Sequence, residues 1–147
     1  MKIYLDNCSF NRPFDDQTQL KVKMETEAKL FIQSEILSGR FKLSWSYILD
    51  YENSENPFDE RKEAIQLWKN IAVDDCDANA ELEELAEKLK INGLKSKDAL
   101  HIACAIFTGC DYFITTDAKV LNKEIQGITV INPIDFVRKL EGEIYED

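Results

Sequence analysis

The stretch "SKDALHIACAIFTGCDYFITTD", residues 96–117, decides how the chain folds. Ser96 is a natural N-cap, and the apolar run that follows has helical character through about Thr108. Gly109 supplies the stop. "YFITT" then reads as a short strand rich in aromatic and β-branched residues. A helix that turns on glycine into a strand is the second half of a β-α-β unit, whose sheet is parallel. The stretch also holds two acids: Asp98 near the helix start, and Asp117 just after the strand. The N-terminal "KIYLD" repeats the second arrangement, running a strand straight into Asp6.

The rest of the chain extends this alternation. "NCSFNRPFDDQ" carries turn chemistry, with Asn7, Asn11 and Pro13. From Thr18 to Ser38, Leu20, Met24, Leu30, Phe31, Ile36 and Leu37 recur at three- and four-residue steps, a helical pattern that Gly39 can end. "FKLSW" is a second strand, and a short helix runs from near Ser46 to about Asn53. Pro57 suits the first turn of a helix carrying Ile65, Leu67 and Trp68. "IAV" at 71–73 reads as a strand, and "ANAELEELAEKLKI" as an amphipathic helix ended by Asn92 and Gly93. "AKVLNK" is a short helix, "ITVI" a strand, and Pro133 opens a last helix. Strands alternating with helices predict a three-layer α/β/α sandwich around a mostly parallel sheet.

The 147 residues suit a single domain over 1–147, closed by an acidic tail at about 141–147. Apolar residues make up 44%, enough for a core that buries roughly 68–70% of the unfolded surface. No apolar run is long enough to span a bilayer. The N-terminus lacks the apolar stretch of a signal peptide, so a cytoplasmic location is expected, with no membrane partner. Cys8, Cys76, Cys104 and Cys110 form no CxxC pair, and His101 is the lone histidine. Reduced, mostly buried thiols are the reading, not a zinc site. Eighteen basic against 28 acidic residues give a net charge of -10. That argues against a simple electrostatic glove for nucleic acid. It leaves room for an enzyme whose carboxylates accept phosphate once cations load them. Lys88, Lys90, Lys95 and Lys97 read as an ordinary solvated surface.

Each acid alone has an ordinary explanation. Asp98 in a first helical turn complements the helix dipole. Asp117 can cap the helix after its strand. Asp6 leaves a buried strand without an obvious helix to cap. In open parallel sheets, however, ligands bind beyond the carboxyl ends of the strands, where one fold can gather all three. Gathered carboxylates repel one another unless a cation intervenes, and Mg²⁺ or Mn²⁺ takes oxygen ligands of this kind.

With "YLDN", "SKDALHIACA" and "DYFITTD" in this order and spacing, the chain resembles the PIN domain, the nuclease fold of VapBC-type toxins. The resemblance runs over nearly the whole length. It implies that Asp6, Asp98 and Asp117 are site acids, with Thr115 the threonine of the "T-x-D" pattern. A further acid is expected after the second strand. In "SWSYILDYENSE" both Asp50 and Glu52 stand at a suitable spacing, from Ser44 and Ser46 respectively. Two helical steps turn about 200°, so the two cannot face one metal together. Both stay open as catalytic candidates, with Asp50 placed provisionally among the metal ligands.

The implied activity is metal-dependent hydrolysis of RNA phosphodiester bonds to 5′-phosphate products. Mg²⁺ or Mn²⁺ would activate water and neutralise phosphate charge. Asn7, Arg12 and Thr115 are candidate contacts to substrate phosphate, although a turn role for Asn7 and a surface role for Arg12 are the favoured readings. His101 reads as hydrogen-bonded within the fold rather than as a ligand. Tyr4, Trp45, Tyr47 and Trp68 read as core or subunit contacts. The resemblance further implies a homodimer and, for a toxin, an antitoxin protein that plugs the site. The alternative is a PIN-like module that binds RNA or protein without cutting. An aspartyl-phosphate enzyme also places Asp after its first strand, but "DN" followed by Cys-Ser matches it poorly.

Overall fold

The computed structural model describes residues 1–145, so the end of the expected acidic tail, residues 146 and 147, lies outside the described residues. The alternation read from the sequence is present as five strands in the order β3-β2-β1-β4-β5, and every pairing is parallel. The strands are β1 (Lys2–Leu5), β2 (Lys42–Ser46), β3 (Asp74–Cys76), β4 (Tyr112–Ile114) and β5 (Thr129–Ile131). β1 lies at the centre, and Ile3, Tyr4 and Leu5 are fully buried. Such an unbroken apolar strand is what a sheet covered on both faces requires.

The connections supply the cover. α1 (Asn7–Asn11), a short 3-10 turn (Arg12–Phe14) and α2 (Leu20–Leu37) join β1 to β2. α3 (Tyr47–Ser54) and α4 (Asp59–Ile71) join β2 to β3. α5 (Ala80–Lys90) and α6 (Ser96–Phe107) carry the chain back across to β4, and α7 (Ala118–Leu121) leads to β5. Right-handed crossovers put the first two connections on one face and the later ones on the other. α5 packs on α6, while the last helix, α8 (Pro133–Tyr145), packs against α2. The result is the three-layer α/β/α sandwich, with an all-parallel sheet where a mostly parallel one was expected.

Aromatic pairs fill the layers. Tyr4 stacks on Phe113 with ring centroids 5.3 Å apart. Phe10 meets Trp45 at 5.5 Å, and Phe136 meets both Phe41 and Tyr112. Tyr4 and Trp45 are core, and Tyr47 and Trp68 pack partly buried against it. The four cysteines are free, three of them buried and Cys8 half-buried. Among the described residues no helix is long and apolar enough to cross a membrane.

Three local readings are corrected. Residues 7–14 form α1 and the 3-10 turn rather than open turns, because the Asp6 side chain caps the helix by accepting from Asn7 N–H. The strand expected at 71–73 lies at Asp74–Cys76 instead. The "IAV" run ends α4 with Ile71 and Val73 exposed, so it has no buried face to give a strand. Pro57 precedes the first turn of α4, which starts at Asp59 after Phe58.

Candidate metal centre

From β1 the chain runs to β2 on one side and returns to β4 on the other, so the sheet's switch point lies between β1 and β4. The crevice beyond the carboxyl ends of these strands is where such sheets bind ligands. Asp6 stands there, held in the sheet by its N–H donating to the Ile114 carbonyl at 2.9 Å. The residue is 6% exposed. A buried charge needs donors. Asn7 N–H donates to Oδ1 at 2.8 Å, and the Thr115 hydroxyl donates to Oδ2 at 2.8 Å. The Cys8 thiol adds a weak donor at 3.5 Å. Burial, then the Asp6 charge, pushes that thiol's pKa up to about 12, so it stays protonated. Thr115 also accepts from Asp117 N–H at 3.1 Å, tying the ends of β1 and β4 together through one hydroxyl.

Glu52 projects from α3 toward the same spot. Asp6, Glu52 and His101 each offer one ligand atom, and these atoms lie within 4.8 Å of one another. His101, on α6, is 1% exposed. Its Nε2 bonds Glu52 Oε1 and lies 3.8 Å from Asp6 Oδ1. Its Nδ1 is 2.6 Å from the Tyr4 hydroxyl, which is 2.6 Å from Ser46 Oγ. With the imidazole neutral, one set of proton roles satisfies every group. Ser46 donates to Tyr4, Tyr4 to Nδ1, and Nε2–H to Glu52. Burial first, then the nearby Cys104, raises the Tyr4 pKa well above its ordinary value, which keeps it a donor.

The electrostatics record the crowding. Burial raises the Asp98 pKa, and the charges of Asp6, Asp117 and Glu52 push it the same way, with His101 opposing. Burial alone would lower the His101 pKa, but the Glu52 hydrogen bond and the Asp6 and Asp98 charges outweigh it and the net shift is upward. Burial alone would raise the Glu52 pKa. The His101 bond and charge, with help from Lys97 and the Asn7 side chain, turn the net shift downward. Asp98 and Asp117 line a hollow of about 430 Å³, and Asp117 Oδ1 also accepts from Lys119 N–H at 2.9 Å.

Asp6, Glu52, Asp98 and Asp117 therefore share one electrostatic neighbourhood. Asp50 is not brought to it. Its carboxylate accepts from Trp45 Nε1 at 2.9 Å and pairs with Lys69 at 2.9 Å, next to Asp75 on the β3 side. Of the two acids left open by the sequence, Glu52 is the one beside Asp6. Arg12 is not brought there either: it pairs with buried Glu25 at 3.2 Å and with Asp15 at 3.1 Å. Asn7 does face the group, through Glu52. His101 is hydrogen-bonded within the fold as expected, yet it borders the acids directly. Its place three residues after Asp98, one turn along the same helix face, was the available signal. Nothing in the sequence marked Tyr4 and Ser46 as its support.

The donor set fits a hard divalent cation. Carboxylate oxygens predominate, and the like charges they carry are tolerable together when a cation stands between them.

A model of the PIN domain matches residues 10–124, beginning just after Asp6 and covering the positions of Glu52, Asp98 and Asp117. The chain belongs to the PIN domain family. PIN domains are generally nucleases. Among solved structures, the chain resembles VapBC2 from Rickettsia felis, crystallised bound to a DNA fragment from its promoter. The TM-score is 0.56 at 17% identity, over 90% of this chain and 98% of that one, a likeness of fold. No curated protein matches.

Proposed function

We propose that the protein is a metal-dependent endoribonuclease that hydrolyses RNA phosphodiester bonds, with Asp6, Glu52, Asp98 and Asp117 holding Mg²⁺ or Mn²⁺. The observation that carries this reading is the meeting of Asp6, Glu52 and His101 within 4.8 Å at the sheet's switch point, with the Asp98 carboxyl under the charge of Asp6, Asp117 and Glu52. When bound, the ion supplies Lewis-acid activation of water and charge neutralisation on the phosphate.

The chain's own residues do the positioning. Thr115 orients the Asp6 carboxylate. His101 holds Glu52, and is itself held by Tyr4 and Ser46. The buried surroundings of Asp6 limit competing water around its oxygens. Asn7 serves the site through Glu52. Thr115 has both its hydroxyl proton and an acceptor position already engaged, so it acts on Asp6 and not on substrate phosphate.

We further read the protein as the toxin of a toxin–antitoxin pair. The fold-level likeness to a VapBC2 complex supports an antitoxin partner. The charge of -10 suits a basic inhibitory segment. Leu20, Met24, Leu30, Phe31 and Leu37 lie exposed on α2, an apolar face consistent with a protein partner or a homodimer.

The test is cleavage of single-stranded RNA with Mn²⁺ by wild type and Asp6→Asn. The variant is expected to lose about 100-fold or more, in the range seen when one preorganised charge-stabilising group is removed. Equal cleavage by the two proteins overturns the catalytic assignment.

A further inference from the structure

The hollow of about 430 Å³ that Asp98 and Asp117 line is walled on its other sides by Lys95, Lys119, Lys123 and Asn122. That composition is unusual for this chain. Acids outnumber bases 28 to 18, yet three lysines line one recess with two aspartates. Among the described residues, none of the three ammonium groups forms an ion pair, although carboxylates are near. Lys2, Lys69 and Lys90 are committed to acids elsewhere, whereas Lys21, Lys23, Lys42, Lys62, Lys88 and Lys97 are also without an ion pair among the described residues; what sets the three apart is that they line one recess with Asp98 and Asp117. The charges in the hollow are therefore available to an incoming anion.

The backbone also makes room for one of them. Gly93 has a φ of +91°, and a Cβ built on it would stand 2.9 Å from Lys123 Nζ. A side chain there would push the ammonium away. A second hollow of about 840 Å³, lined by Asn92 and Gln126 among others, shares Lys123. Apart from Lys123 its lining is apolar and amide with one acid, Glu124, so the recess opens outward past Lys123 while the positive charge stays beside the acids.

Carboxylates alone repel a phosphodiester, and a divalent ion offsets that at the reacting phosphate only. A strand that reaches the acids must carry further phosphates past them. Lysines are suited to hold these, as mobile point charges on flexible stems. We infer that Lys95, Lys119 and Lys123 form a seat for the sugar–phosphate backbone of the RNA strand next to the scissile bond. They set strand position and affinity rather than perform chemistry. This rests on the ribonuclease reading for the identity of the strand.

The seat is tested by binding rather than turnover. A labelled single-stranded RNA oligonucleotide is titrated with protein in Ca²⁺, across a series of salt concentrations, and checked on a gel to be intact. Wild type is compared with Lys119→Ala/Lys123→Ala, and with Lys21→Ala/Lys23→Ala on α2 as a charge-matched control. Each lysine–phosphate pairing removed makes the plot of log affinity against log salt shallower by about 0.7 for a single strand. The double variant in the seat is expected to be shallower by about 1.4 and to bind roughly tenfold more weakly at low salt. The control should match wild type. In cleavage assays the same variant should raise KM while leaving kcat nearly unchanged. An unchanged slope and affinity for Lys119→Ala/Lys123→Ala, or an equal loss in the α2 control, overturns the assignment. Since no turnover is involved, an Asp6→Asn protein that still cuts RNA would remove the catalytic reading without altering this result.

Discussion

Lys29 shows how far one residue can depart from its usual chemistry in this fold. It lies in α2, 3% exposed, with Nζ 5.2 Å from the Phe10 ring centre and 5.8 Å from that of Trp68. The buried carboxylate one turn earlier, Glu25, is taken by Arg12. Two aromatic faces soften the loss of water but do not replace it. Burial accordingly pushes the Lys29 pKa down to about 7. The sign follows from linkage. Between about pH 7 and the unfolded value near 10.4, the unfolded chain holds a proton that the folded one lacks, so stability rises with pH across that window. Below pH 7 the folded state carries the full penalty, on the order of 5 kcal/mol. Lys29→Met keeps the length and removes the charge. We expect it to unfold at higher urea than wild type at pH 6, with the gap closing toward pH 10. Parallel stability curves for the two proteins across that range would refute the account.

At the scale of the element, α3 separates two acids that sequence spacing alone could not. Ser46 caps the helix by accepting from Leu49 N–H, which fixes the rotation of everything after it. Glu52 then falls toward His101 and Asp6, and Asp50 falls toward Trp45 and Lys69. Glu52→Gln is expected to cut RNA cleavage by about 100-fold, the scale of removing one charge-stabilising group. Asp50→Asn should stay within a few-fold of wild type, with at most a small loss from a half-exposed ion pair. The reverse order of effects, read from initial rates, would place the metal on the other face of α3. The same helix shows why part of the site could be read from sequence and part could not. Asp6 and Asp117 were visible because each ends an apolar strand, where the chain must present whatever follows to the crevice. Choosing between Asp50 and Glu52 needed the helix phase, and phase depends on a cap whose partner is a backbone N–H. Strand β3 is illegible for a related reason. "DDC" has no apolar run, since its Asp74 faces Lys2 in a 2.7 Å ion pair at the sheet margin. In α2 the periodic apolar residues marked a helix, and Leu20, Leu30 and Leu37 of that pattern lie outside while Glu25 and Lys29 lie inside. A 3.6-residue period reports that a helix has an apolar face, not what covers it.

For the molecule as a whole, the question is why a chain already carrying a charge of -10 concentrates more like charge at the centre of its sheet edge. The sheet order leaves no alternative. With β1 central and flanked by β2 and β4, the residues that follow β1 and β4, and those on the facing sides of α3 and α6, converge on one crevice. Convergence of partly buried carboxylates costs stability, visible in the raised Asp98 pKa, and that cost is removable by a cation that the unfolded chain cannot gather. Binding to the folded state alone stabilises by mass action, about 2.7 kcal/mol when free ion stands at about 100 times its Kd. For a domain of this size that corresponds to roughly 5–10 °C in Tm. Thermal melts with Mg²⁺ or Mn²⁺ should show this rise over chelator-treated protein, and NaCl at matched ionic strength should give much less, because screening weakens long-range repulsion without occupying the crevice. In Asp98→Asn/Asp117→Asn the apo protein should melt higher than wild type, its repulsion relieved, and the divalent-ion increment should largely vanish. If the double variant keeps the full increment, the ion binds elsewhere on the acidic surface, and the acids at the switch point do not act as one metal centre.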